Sequence, residues 1–195
     1  MLEVKIGCIG TQNTGKTTFI RDLIATYPQF KTPTSTYRDV IRKYGLKINR
    51  NATIAGQWVI FCSMLETINK RHSKPVIFDR TPFDAYIYTL YVAGKPDGLE
   101  EMRELAIRSL EKLDIIFMFP LAGNEHIPLK DDGLRDIDEN YRETINTLFL
   151  SELAIAATMS DKLPPIHNVT GLQHDRIAFA AEKLGLSSSV ILPRE

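Results

Sequence analysis

The run Gly10-Thr11-Gln12-Asn13-Thr14-Gly15-Lys16-Thr17 places two glycines, a lysine and a threonine at the spacing that wraps a polyphosphate. The glycines let the backbone curl so that successive N–H groups point inward, and a following helix adds positive potential from its N-terminus. Gly10, Thr11, Asn13, Thr14, Gly15, Lys16, Thr17 and Thr18 are therefore the candidate nucleotide-binding residues. Lys16 is expected on the β- and γ-phosphates, and the Thr17 hydroxyl on Mg²⁺. Chance produces this pattern in a chain of such length on the order of 1% of the time. Here it also lies between an apolar run and an amphipathic one, which an accidental glycine turn does not require.

A second station, Asp79-Arg80-Thr81-Pro82-Phe83-Asp84, closes the apolar run Val76-Ile77-Phe78. A carboxylate at the carboxyl end of a parallel strand faces the ligand crevice. Asp79 there either takes a proton from an acceptor hydroxyl or holds metal-bound water, and the residues leave both roles open. An aspartate ahead of a proline is also an ordinary helix N-cap. Arg80 offers a planar fork to phosphate oxygens. The third station runs from Lys130 through Asp132-Gly133-Leu134-Arg135, with Arg142 about two turns beyond it. A lid over 121–142 would bring Arg135 and Arg142 over the transferring group. The alternative is two solvated cations paired with Asp138, Glu139 or Glu143.

Gln57 and Trp58 open a long helix expected to line the acceptor cleft. A glutamine amide reads a base or carboxamide edge in either direction, and an aromatic stacks on a ring. A core role is the alternative for Trp58 and the expectation for Phe61. Residues 38–50 hold Arg38, Arg42, Lys43, Lys47 and Arg50 against Asp39 alone. A solvated helix face explains such a run by default; a holder of a substrate phosphate, or of a DNA backbone, is the other reading.

These residues need a scaffold, and the periodicities supply one. Apolar strands are expected over 4–9, 76–79, 115–119 and 166–169, with a short extended piece over 30–34 as a fifth. Helices are expected over 15–27, 36–44 with Gly45 as its stop, 54–71, 83–93, 100–112, 136–160 and 174–184. Strands alternating with helices predict an α/β fold: a parallel five-stranded sheet flanked by helices in one domain over 1–195. The 195 residues balance 24 Lys and Arg against 24 Asp and Glu, so no global field draws the chain to nucleic acid or membrane. Without a signal-like or membrane-length apolar stretch, a cytoplasmic protein is expected. Cys8 and Cys62 lie in apolar stretches and read as buried reduced thiols. The residues do not determine an oligomeric state.

The three stations together resemble the nucleoside- and nucleotide-kinase branch of P-loop proteins. The match extends to the AAA-like ATPase/kinase family that includes ribosylnicotinamide kinase domains. It spans nearly the whole chain and rests on the 10–18 loop, Gly56-Gln57, the 78–84 segment and Asp132-Gly133-Leu134-Arg135. The resemblance implies a P-loop NTPase fold, ATP as donor, Asp79 as base, and lid arginines in the Arg135 region. It also places Asp84 on the acceptor side and Thr170, in Asn168-Val169-Thr170-Gly171, against adenine. Deoxynucleoside kinases have Glu-Arg at the second station, so Asp79-Arg80 is closer to the nucleotide-kinase and nicotinamide-riboside version. A GTPase would carry Asn-Lys-x-Asp, and a transport ATPase a carboxylate pair ending the second acidic strand. The expectation is an ATP- and Mg²⁺-dependent kinase of a nucleoside- or nucleotide-like acceptor. A kinase of a modified nucleotide within DNA, and a non-catalytic ATP-binding regulatory module, are the alternatives.

Overall fold

A computed structural model describes residues 4–127 and 138–186. Its strands are β1 (Lys5–Ile9), β2 (Val76–Asp79), β3 (Ile115–Met118) and β4 (Ile166–Asn168). All pair in parallel, in the order β2-β1-β3-β4. Between them come α1 (Lys16–Thr26), α2 (Tyr37–Tyr44), α3 (Ile54–Asn69), α4 (Pro82–Ala93), α5 (Glu100–Leu110), α6 (Glu139–Met159) and α7 (Gln173–Lys183). Among the described residues the sheet has four strands, not five. Residues 30–34 contribute only a parallel bridge between Lys31 and Val76, in which Ile77 N–H donates to the Lys31 carbonyl at 2.8 Å. Pro33, two residues on, has no N–H to extend a ladder.

Alternation along the strands divides the core. Ile9, Phe78, Ile116 and Met118 face the α3–α4–α5–α6 side, while Ile6, Cys8, Ile77, Phe117 and Phe119 face α1 and α7. Burial on both faces is why β3 reads as an unbroken apolar run. Helix ends follow local chemistry. Thr36 and Asp39 form a capping box on α2, which stops at Gly45 with φ 59°. Thr53 Oγ1 accepts from Gly56 N–H at 3.1 Å to start α3. Thr81 and Asp84 form a second capping box, with Pro82 in the first turn of α4. Cys8 is buried as expected, but Cys62 is exposed, because helical spacing turns Ile60 and Phe61 inward and leaves the next position outside. Among the described residues, no helix is long and apolar enough to cross a membrane.

Candidate active site

The carboxyl ends of β1 and β2 lie side by side, with Cys8 in register with Asp79, so the two best sequence stations meet. In the loop after β1, Gly10 (φ 127°) and Gly15 (φ 82°) hold left-handed backbone. A Cβ at Gly10 would lie 2.6 Å from the Phe119 carbonyl oxygen, and one at Gly15 2.6 Å from Arg176 Nη1. Lys16 is 5% exposed, and its ammonium sits inside the loop. It donates to the Gly10 carbonyl at 2.8 Å, to the Thr11 carbonyl, and to Thr14 Oγ1 at 3.2 Å. Burial, then the neighbouring Arg80 charge, pulls Lys16 down to about 7. A cation caged by neutral carbonyls at a helix N-terminus is arranged to exchange them for an anion.

Thr17 Oγ1 donates to Asp79 Oδ2 at 2.8 Å. This hydroxyl–carboxylate pair beside the phosphate loop is an all-oxygen donor set suited to Mg²⁺, which keeps several waters and phosphate oxygens as its other ligands. Next to it, Arg80 adopts φ 76°, a left-handed conformation that costs a non-glycine residue on the order of 1 kcal/mol. The position is held by packing. The guanidinium carbon lies 5.1 Å from the Tyr37 ring centroid and 4.8 Å from that of Tyr88, and Asp84 Oδ1 is 3.8 Å from Nη1. Asp84 itself is fully buried and accepts from Thr81 N–H at 2.9 Å and from Gly10 N–H at 3.3 Å. It thus ties the start of α4 to the phosphate loop, and burial pushes it up to about 6.

Three cavities meet at Tyr37 and Arg80. A trough of about 210 Å³ follows the loop from Gln12 to Thr18 and takes in Arg38 and Asp79. A cavity of about 420 Å³ opens between α1, α3 and residues 32–38, with Thr17 and Asp79 at its inner end. A pocket of about 60 Å³ between α2, α3 and α4 is bordered by Gln12, Asn49, Gln57, Asp84 and Tyr88. Gln57 therefore reaches the site while Trp58 does not. Trp58 packs edge-on against Phe61 at 5.5 Å and borders none of the three cavities, since consecutive helical residues point about 100° apart.

Of the lid arginines, Arg135 lies outside the described residues. Arg142 is 8% exposed rather than solvated among the acids of α6. Its Nη2 donates to the Asn13 carbonyl at 3.3 Å, and its own carbonyl lies 3.4 Å from Thr11 Oγ1. Thr170 is exposed and packs over Gly123. Of the basic run, Arg42 pairs with Asp39 at 3.5 Å and Arg50 with Asp138 at 2.8 Å, while Arg38 borders the trough and the large cavity.

Two residues at this site went unnoticed in the sequence. Arg176, 1% exposed, donates to the Thr14 carbonyl at 3.1 Å, the Gly171 carbonyl at 2.9 Å and Asn124 Oδ1. It joins the phosphate loop to the loops after β3 and β4. Gln12, 4% exposed, occupies a variable position of the phosphate motif, and no local pattern marks it. The only signal for Arg176 is an arginine where α7 is otherwise apolar inward, at the spacing of Ile177 and Ala180.

A parallel sheet with a phosphate loop after its first strand and Asp79-Arg80 on the adjoining strand defines a P-loop protein of kinase-like fold. The chain belongs to the AAA domain family, whose model matches residues 5–158. A comparison with curated proteins finds no match. Among solved structures, NadR in complex with NR is similar at TM-score 0.66 and 14% identity, over 98% of this chain and 54% of that one. NadR with NAD and AMP-PNP is similar at TM-score 0.68 and 16% identity, over 99% and 51%. The chain thus spans about half the length of the NadR structures. A deoxyadenosine kinase from M. mycoides with bound dCTP is similar at TM-score 0.63 and 15% identity, over 93% of this chain and 99% of that one.

Proposed function

We propose that the chain is an ATP-dependent kinase that transfers the γ-phosphate to a hydroxyl or phosphate of a nucleoside- or nucleotide-like acceptor. The observation that carries this reading is the 2.8 Å pair of Thr17 hydroxyl and Asp79 carboxylate beside the phosphate loop. In this reading Lys16 binds the β- and γ-phosphates, and Arg80, Arg38 and Arg142 supply positive charge around the trough. Mg²⁺, when bound, neutralises charge on those phosphates, and Thr17 and Asp79 are the residues that would hold it. As the acceptor oxygen bonds to the γ-phosphorus, the bond to the leaving ADP oxygen breaks. The acceptor's proton passes to Asp79 if that residue is the base. The similarity of fold to NadR and to a deoxyadenosine kinase supports this class of acceptor.

A second reading, transfer to a modified nucleotide within DNA, is favoured by Lys43 and Lys47, which are exposed. The pairing of Arg42 and Arg50 with acids on the protein weakens it. A screen of γ-phosphate transfer over nucleosides, mononucleotides, nicotinamide riboside and DNA decides between them. The preferred reading expects turnover with a small acceptor and a KM that is flat with salt. A DNA acceptor instead gives a steep dependence, with a log–log slope of about 0.9 per phosphate contact, that a Lys43/Lys47/Arg50 triple alanine variant flattens. ATP binding with no acceptor-stimulated turnover identifies a regulatory module and overturns both. Asp79→Asn is expected to leave ATP binding intact while transfer falls by about 10²-fold or more. Equal losses in binding and rate make Asp79 a metal holder instead of a base.

A further inference from the structure

Gln12 is a residue of the phosphate loop that borders both the trough along that loop and the small pocket between α2, α3 and α4. Its amide borders the 60 Å³ pocket together with Gln57. The direction of that amide is set by its neighbours. Oε1 accepts from the Tyr88 hydroxyl at 2.7 Å and from Thr11 Oγ1 at 3.1 Å. The Tyr88 ring also lies against the Arg80 guanidinium, whose carbon is 4.8 Å from the ring centroid, and this fixes the ring that presents the hydroxyl to Gln12. Gln12 Nε2 is then left as a buried donor with no partner among the described residues. Unsatisfied buried donors are rare and costly in folded proteins, and one bordering a ligand cavity points to a ligand acceptor. The pocket is the smallest of the three cavities that meet at Tyr37 and Arg80, which suits it to the polar edge of a ring whose remainder lies in the larger cavities.

We infer that Gln12 is a specificity-determining residue that donates to a carbonyl oxygen on the acceptor's ring, with Gln57 beside it to pair with the adjoining N–H or amide. The acceptor is accordingly an oxo-base nucleoside or a pyridine carboxamide nucleoside, in preference to one presenting an amino group. This rests on the kinase reading for the transfer step but not for the binding step. Arg80 connects recognition to chemistry: it holds Tyr88, which orients Gln12, and it adjoins Asp79.

The test compares matched pairs that exchange a carbonyl for an amino group, uridine against cytidine and inosine against adenosine, with nicotinamide riboside as the carboxamide case. Binding is measured by calorimetry in the presence of a non-hydrolysable ATP analogue, and transfer is measured with ATP. The parent chain is expected to prefer the carbonyl member of each pair, and nicotinamide riboside against uridine tells which source of carbonyl it uses. Gln12→Leu should weaken the preferred acceptor about tenfold. Gln12→Glu, which replaces the Nε2 donor with an acceptor oxygen and adds a negative charge, should reverse the preference towards the amino member. The affinity of the ATP analogue, measured alongside, separates acceptor reading from damage to the loop. Equal weakening of every acceptor and of the analogue overturns the inference, as does a preference that Gln12→Glu leaves in place or failure of all five to bind. Binding preferences that behave as expected without any transfer uphold the inference and overturn the kinase reading.

Discussion

Tyr86 and Tyr88 are two residues apart on α4, about 200° apart around the helix, and they enter opposite kinds of buried polar network. On the Tyr86 side every group is matched. Its hydroxyl donates to Glu152 Oε2 at 2.9 Å and accepts from Arg103 Nε at 2.7 Å, and Arg103 Nη2 closes onto Glu152 Oε1 at 3.2 Å. One cation meets one carboxylate, and the ring of contacts locks α4, α5 and α6 together. Burial, with Glu152 alongside, pushes Tyr86 up to about 12. On the Tyr88 side the contacts do not close. Among the described residues Gln12 Nε2 and Arg142 Nε lack partners, Lys16 is caged by carbonyls, and Arg80 holds a left-handed backbone. A folded chain completes the polar groups it uses for support, and it leaves incomplete those that a ligand will complete. On the proposed function, strain and unmatched donors lie on the side of the helix that meets the ligand.

The largest expected break between the two sides is Lys16→Ala. Removing the ammonium should abolish measurable phosphoryl transfer and weaken ATP binding, with little change in melting temperature, because Lys16 bonds only to loop carbonyls and Thr14. Unchanged turnover in a transfer assay would falsify the phosphate-loop role. Glu152→Ala should do the reverse. It strands the Arg103 charge and should cost about 3 kcal/mol in denaturant unfolding, while specific activity per folded molecule stays near the parent value. A loss of activity without a loss of stability would erase the distinction drawn here.

The smallest effect concerns protons. Lys16 is held near 7 in the ligand-free loop by burial and by Arg80, and phosphate oxygens alongside it would raise that value. Between about pH 7 and the ordinary lysine range, the free loop carries a partly neutral lysine and the complex a charged one. ATP binding should then take up a fraction of a proton, growing as pH rises through this window, and ATP affinity should fall in the same direction. Calorimetry at pH 8 in buffers of different ionisation enthalpy measures the uptake. Lys16→Ala should lack this contribution; identical uptake in parent and variant would assign the proton elsewhere.

Whatever repeats or caps over short distances was legible in the sequence. The phosphate loop follows from eight consecutive residues, β3 from an unbroken apolar run, and the end of α2 from Gly45. These are set by backbone geometry within a few positions, so the chain alone determines them. The pairing of Asp79 with Thr17 follows from strand order, because a parallel sheet brings its carboxyl ends together. Other features needed the assembled molecule. Whether 30–34 joins the sheet depended on the N–H that Pro33 lacks, and whether Gln57 or Trp58 faced the site depended on how α3 is rotated against α4. Arg142 and Arg176 reach the phosphate loop from 129 and 162 residues away, distances at which no periodicity carries information. The direction of the Gln12 amide was decided by a tyrosine hydroxyl 76 residues distant. Hydrogen bonding is directional and short-ranged, so which way a buried amide points is settled only when packing has brought its neighbours into place.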